Sequence, residues 1–149
     1  QNSRVNGSVA AQLAEVRRLT APYHDHATAV ADGWFARLSP CVEHPTLGGM
    51  GYHYGNPQYL MNGILDPLKP EALLYEPQKN GRLRLVGVEY ITEPGNPDID
   101  APTLFGEEFH WNPVQEFWAL HVWIWRNNPS GMFADWNPNV SCEYEIPEE

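Results

Sequence analysis

Between Ser8 and Leu38 the apolar positions recur at helical spacing. Val9, Leu13, Val16 and Leu19 fall on one stripe, with Glu15, Arg17 and Arg18 among the intervening positions, which predicts an amphipathic helix. Pro22 interrupts it. Because Thr20 can act as an N-cap and proline is tolerated in a first turn, a second helix is expected from about Pro22 to Asp32, with Gly33 as its C-cap.

Beyond Cys41 the period of the pattern falls to two. Prolines and glycines crowd the joins (Pro45, Gly48, Gly49; Pro67, Pro70; Pro77, Asn80, Gly81; Pro94, Gly95, Pro97), and short runs of Val, Ile, Leu and aromatic residues lie between them. Strands are expected near 50–54, 72–76, 82–91 and 117–125, with a last one around 131–135 or 140–146. Gln78-Lys79-Asn80-Gly81 reads as the hairpin turn between the second and third, since Asn-Gly accepts positive φ. Thr92 to Pro113 reads as a proline-rich loop pinned by Leu104, Phe105, Phe109 and Trp111. The fold class that follows is α+β, with an N-terminal helical pair packed on an antiparallel β-sheet or small β-barrel. At 149 residues the chain has the length of one domain, with a helical segment over 1–40 and a β-rich core over 41–149.

The same alternation places three polar residues where apolar ones are the rule. In the 82–91 strand, parity puts Glu89 on the face of Leu83, Leu85, Gly87 and Ile91, opposite Arg82, Arg84, Val86, Val88 and Tyr90. His121 sits mid-strand with Phe117, Ala119, Trp123 and Trp125 on its own face and Trp118, Leu120, Val122 and Ile124 on the other. His53 stands in Gly49-Met50-Gly51-Tyr52-His53-Tyr54, between two tyrosines. A carboxylate and two imidazoles in such positions are costly to bury unless they are paired or hold an ion. Two histidines and one carboxylate form a chemically sensible ligand set for one divalent transition metal, zinc, copper or iron, with positions left open for water or substrate. Glu76 follows Ala72 and Leu74 in parity and is a candidate catalytic base. The alternative for these side chains is a hydrogen-bonded network without metal. His24 and His26 flank Asp25 at a spacing that sends the two rings to different faces, and His44 and His110 fall in loops.

Charge and cysteine usage narrow the setting. A formal net charge of -10 argues against a nucleic-acid partner, which would require clustered Lys and Arg. No apolar run approaches the roughly 20 residues that span a bilayer, so no membrane-spanning helix is expected. Cys41 and Cys142 belong to no CxxC pair and are expected to form a disulfide, which places the chain in a secreted or periplasmic setting. The N-terminal glutamine fits a mature chain whose signal peptide has been removed.

Tyr23-His24-Asp25, Met50-Gly51-Tyr52-His53-Tyr54, Leu73-Leu74-Tyr75-Glu76-Pro77, Val86-Gly87-Val88-Glu89-Tyr90 and Leu120-His121-Val122-Trp123 together resemble a family of uncharacterised secreted bacterial proteins. The likeness runs from about Leu19 to Cys142 and implies a secreted, bacterial origin without an attached activity. The compact His-x-His cluster of cupin barrels is absent.

Two functions of different class fit these observations. One is a metal-dependent protein, favoured as an enzyme, with His53, Glu89 and His121 as ligands and Glu76 as base, acting on a small-molecule or carbohydrate substrate. The other is an extracellular binding module in which Tyr52, Tyr54, Trp111, Trp118 and Trp136 form a platform for a sugar or an apolar small molecule. Nucleophilic hydrolysis fits less well, since Ser130 and Ser141 lack a GxSxG elbow and both cysteines are assigned to the bridge.

Overall fold

The computed structural model describes residues 8–92, 98 and 100–146; Gln1 and the loop residues Pro94, Gly95 and Pro97 lie outside the described residues. Ser8 caps the first helix, α1 (Val9–Thr20), its side chain accepting from the Ala11 N–H at 3.0 Å. The expected second helix is divided. Pro22 sits in a 3-10 turn (Ala21–His24), and the α-helical part, α2, covers only His26–Ala31. Gly33 follows at φ +124°, the conformation that ends a helix most cheaply with glycine.

The β region comprises β1 (Ala36–Arg37), β2 (Val42–His44), β3 (Gly48–Gly55), β4 (Ala72–Pro77), β5 (Leu83–Thr92), β6 (Thr103–Leu104), β7 (Glu107–Glu108), β8 (His110–Asn112) and β9 (Phe117–Val122). A short helix, α3 (Pro57–Met61), follows β3. Seven strands form one antiparallel sheet in the order β1-β3-β4-β5-β9-β8, with β2 also pairing β3; β6 and β7 pair separately. The sheet is open and does not close into a barrel. The architecture is thus α+β, with the helical pair on one face of an antiparallel sheet. The turn between β4 and β5 closes through Gly81 N–H to Gln78 C=O at 2.9 Å, and within the pair only Gly81 takes positive φ.

The two faces of the sheet are distinct. Leu13, Val16 and Ala29 of the helices pack with Trp34, Leu73, Tyr75, Leu85, Val88, Tyr90, Leu120 and Val122 on one face. Ala72, Ile91 and Ala119 form a cluster on the other, as do Leu74, Val86, Trp123 and Val140. The pairing of β4 with β5 shifts register between Leu74 and Tyr75: Leu74 faces Gly87, whereas Tyr75 faces Leu85. This bulge at Val86 inverts the alternation along β5. Leu83 and Leu85 therefore join the helix-side core, and Glu89 shares its face with Ile91 and Val86 and not with the leucines, correcting the simple parity reading.

The strand expected at 117–125 ends at Val122, and residues 131–146 form no strand; the segment is a chain of turns with one bridge, Gly49 to Asn137. Asparagine side chains explain this. Asn128 Oδ1 accepts from Ser130 N–H at 2.9 Å, Asn137 Oδ1 from Asn139 N–H at 2.8 Å, and Asn139 Nδ2 donates to Asn127 O at 3.0 Å. Side chains thus satisfy backbone groups that a ladder would otherwise use. A disulfide joins Cys41 to Cys142, 101 residues apart, and holds this segment against the far side of the sheet. Among the described residues no helix is long and apolar enough to cross a membrane.

Candidate metal centre

On the face away from the helices, cross-strand register sets the site. Glu89 and His121 are direct partners across β5 and β9. Ala72 is Glu89's partner on the other side, and His53 of β3 lies diagonally across β4, opposite Leu74. Strands stand about 4.8 Å apart, so side chains of histidine and glutamate length can meet across one intervening strand only where that strand contributes little bulk. Ala72, wholly buried, meets that condition.

His53 Nε2 lies 3.4 Å from Glu89 Oε1, and His121 Nε2 lies 3.3 Å from Glu89 Oε2. The three groups are buried, and their donor atoms fall within 4.8 Å of one another. A charge-assisted N–H···O bond would be about 2.7–2.9 Å long, whereas donors arranged tetrahedrally at roughly 2.0–2.1 Å from one ion stand roughly 3.3–3.4 Å apart. Both separations exceed the first figure, and they run to different oxygens of the carboxylate, so Glu89 lies bracketed between the two imidazoles. Consistently, Glu89 Oε1 and His121 Nε2 are buried without a hydrogen-bond partner among the described residues. Such orphans are expensive unless something else satisfies them. The donor set of two imidazoles and one carboxylate therefore fits a divalent transition ion.

The far nitrogens of both rings are held from outside. Ser39 Oγ lies 2.9 Å from His53 Nδ1 and donates its single proton to Pro40 O at 2.7 Å, so Ser39 is arranged to accept from Nδ1–H, the tautomer that would leave Nε2 able to ligate an ion. His121 Nδ1 lies 3.5 Å from Asp135 Oδ1, an ion-pair distance longer than a hydrogen bond, and His110 Nδ1 meets the same oxygen at 2.8 Å. The His121 ring is further fixed by the parallel Trp123 ring, centroids 6.1 Å apart. Imidazoles whose outer nitrogens are held by an oxygen and whose inner nitrogens converge are the usual geometry of metal-ligating histidines.

The electrostatics follow from these neighbours. Burial is the largest influence on His53 and, outweighing the attraction of Glu89, holds its pKa below the ordinary value. His121 is buried too, but Glu89 and Asp135 together overcome that penalty and raise its pKa. Burial pushes the Asp135 carboxyl up, yet His121 and His110 outweigh it and hold it down at about 2. Metal binding at His121 therefore competes with protonation, which Glu89 and Asp135 favour.

The structure brings His53, Glu89 and His121 together and places Glu76 elsewhere in its contacts. Glu76 Oε2 accepts from Ser141 N–H at 2.8 Å and Oε1 from Gln78 Nε2 at 3.3 Å, tying the C-terminal segment to β4. His24 and His26 lie on the helix side, against Trp125 and against Tyr54 and Tyr75. His44 belongs to β2 and its Nδ1 accepts from the N–H groups of Thr46 and Leu47, both at 3.1 Å. Of the aromatic residues read as a platform, Trp111 packs on Trp118 and Tyr52 on Tyr54, while Trp136 packs on His44.

Ser39 and Asp135 escaped the sequence reading, since each lies in an irregular segment where period-two alternation carries no information. Changing Asp135 to Asn is expected to weaken metal affinity about 10- to 100-fold and to lower the thermal stability of the metal-free chain modestly, since the carboxylate that His110 and His121 hold ionised is lost. Competition with a chelating dye measures this, and an unchanged affinity would remove Asp135 from the account of His121.

An open antiparallel sheet, helices on one face and a buried two-histidine, one-carboxylate cluster on the other, defines the class of site. No family model, no curated protein and no solved structure matches the chain.

Proposed function

We infer that this chain is a secreted or periplasmic metalloprotein in which His53, Glu89 and His121 hold one divalent transition ion, zinc, copper or iron. The observation that carries the reading is the convergence of buried His53, Glu89 and His121, whose donor atoms lie within 4.8 Å of one another, with Glu89 Oε1 and His121 Nε2 lacking a hydrogen-bond partner among the described residues. The disulfide supports the oxidising setting. Three protein ligands leave a tetrahedral ion one position for water or substrate, and an ion so placed supplies Lewis acidity. In this reading Ser39 and Asp135 orient the two imidazoles, and Trp123 and Ala72 shape a dry wall around the ligands. Side-chain exposures of 11% for His53, 5% for His121 and 4% for Glu89 leave His53 the most accessible of the three ligands, and so closed a site suits a small molecule or the terminal group of a carbohydrate. Glu76, engaged with Ser141, serves as base only if that hydrogen bond is released.

Cobalt substitution tests the enzymatic part. The cobalt-loaded chain is expected to show visible d–d bands that shift on addition of azide, because an open position accepts the anion. Bands indifferent to azide would assign the ion a purely structural role in joining β3, β5 and β9.

A further inference from the structure

We propose a second, separate binding site: a cavity of about 360 Å³ between the end of α1 and the segment after β9 that takes a small ring-bearing carboxylate. Its walls include Arg17, Arg126, Trp123, Trp125 and Met132, and none of its lining residues is acidic. The chain has 19 Asp and Glu against nine Lys and Arg, so two arginines lining one cavity without a carboxylate among its walls run against the overall charge. That volume lies within the range of small-molecule sites, roughly 300–1,000 Å³.

The polar groups of the cavity are fixed in advance and incompletely used. Arg17 Nε donates to Ile124 O at 3.3 Å, which holds one guanidinium at the wall. Arg126 Nε is buried without a hydrogen-bond partner among the described residues, so the guanidinium lies in the wall with its charge uncompensated at that atom, and a carboxylate in the cavity would meet it through the outer nitrogens. The backbone carrying Arg126 is tied down on both sides: Trp125 N–H donates to Val86 O at 3.2 Å, and Asn137 Nδ2 donates to Arg126 O at 3.2 Å. The Trp125 indole N–H is committed to Thr20 Oγ1 at 3.0 Å, which anchors the ring and leaves it to offer apolar surface. A carboxylate facing Arg126, with its ring against tryptophan, answers both features. An aromatic acid and a sugar acid share this chemistry. The site does not depend on an ion at His53 and His121, although Trp123 is common to both.

The test uses the full disulfide-bonded chain, first treated with chelator so that coordination at the histidines cannot give the signal, and then untreated. Titration calorimetry with benzoate and with galacturonate, against neutral benzamide and galactose, reads the charge requirement on wild-type protein alone. At least one acid is expected to bind about tenfold more tightly than its neutral counterpart, with affinity falling about tenfold in Arg126→Met and partly restored in Arg126→Lys. Preference for benzoate identifies an aromatic acid and preference for galacturonate a sugar acid. Failure of both acids to bind, equal binding of acid and neutral probe, or an Arg126→Met chain that binds like wild type would overturn the proposal.

Discussion

Alanine at His53 or at His121 is expected to abolish stoichiometric metal uptake, while alanine at His44 leaves it intact. Each of the first two rings supplies an Nε2 that faces Glu89, at 3.4 and 3.3 Å respectively, and removing either leaves two protein donors. Loss of an outer partner of a ligand typically weakens binding about 10- to 100-fold, so loss of a ligand itself should exceed about 100-fold. His44 shares the residue type but spends its Nδ1 on two backbone N–H groups in the turn after β2. The fold should survive all three changes, because the helix-side core of Leu73, Tyr75, Val88 and Leu120 is untouched. Metal analysis after dialysis against zinc, with circular dichroism on the same samples, checks both halves of the expectation. Equal zinc content in His121→Ala and wild type would refute the ligand assignment.

The second large effect concerns the bridge. Serine at both Cys41 and Cys142 opens a loop of 101 residues, for which the loop-entropy model gives roughly 4–5 kcal/mol of lost stability as an upper figure. The consequence reaches the site. Ser39, which holds His53, lies two residues before Cys41, and the Cys41 N–H is itself bound by Glu145 Oε2 at 3.0 Å. Asp135, which faces His121, lies in the same C-terminal segment that the bridge fastens. Denaturant titration should therefore show a lower midpoint with a larger slope, since the unfolded chain expands, and metal affinity should fall with it. A midpoint unchanged by the double substitution would show that contacts such as Glu76 to Ser141 already hold the segment.

Much of this was legible in the chain itself, for a physical reason in each case. Leu13 and Val16 announced the helix through spacing, and the four long strand positions were marked by β-branched and aromatic runs between prolines and glycines. His53, Glu89 and His121 stood out because polar groups in apolar strands need compensation. What escaped notice has equally definite causes. The Val86 bulge reversed the side of Leu83 and Leu85, because parity counts residues and cannot see an inserted one. A last strand is expected around 131–135 or 140–146, but Asn128, Asn137 and Asn139 satisfy backbone partners with their side chains, and the segment folds as turns. Ser39 and Asp135 carry no periodic mark at all. Only the path of the backbone after Leu38 and after Phe133 brings them to the two rings.

The most direct measurement is the metal content and ligation of the wild-type chain, purified without chelator from an oxidising compartment and, in parallel, reconstituted with zinc. One ion per chain is expected, with an X-ray absorption shell of nitrogen and oxygen neighbours at roughly 2.0–2.1 Å and no sulfur, since both cysteines are bridged. A folded, bridged chain that takes up neither zinc, copper nor iron would contradict the account and leave His53, Glu89 and His121 as a buried polar cluster.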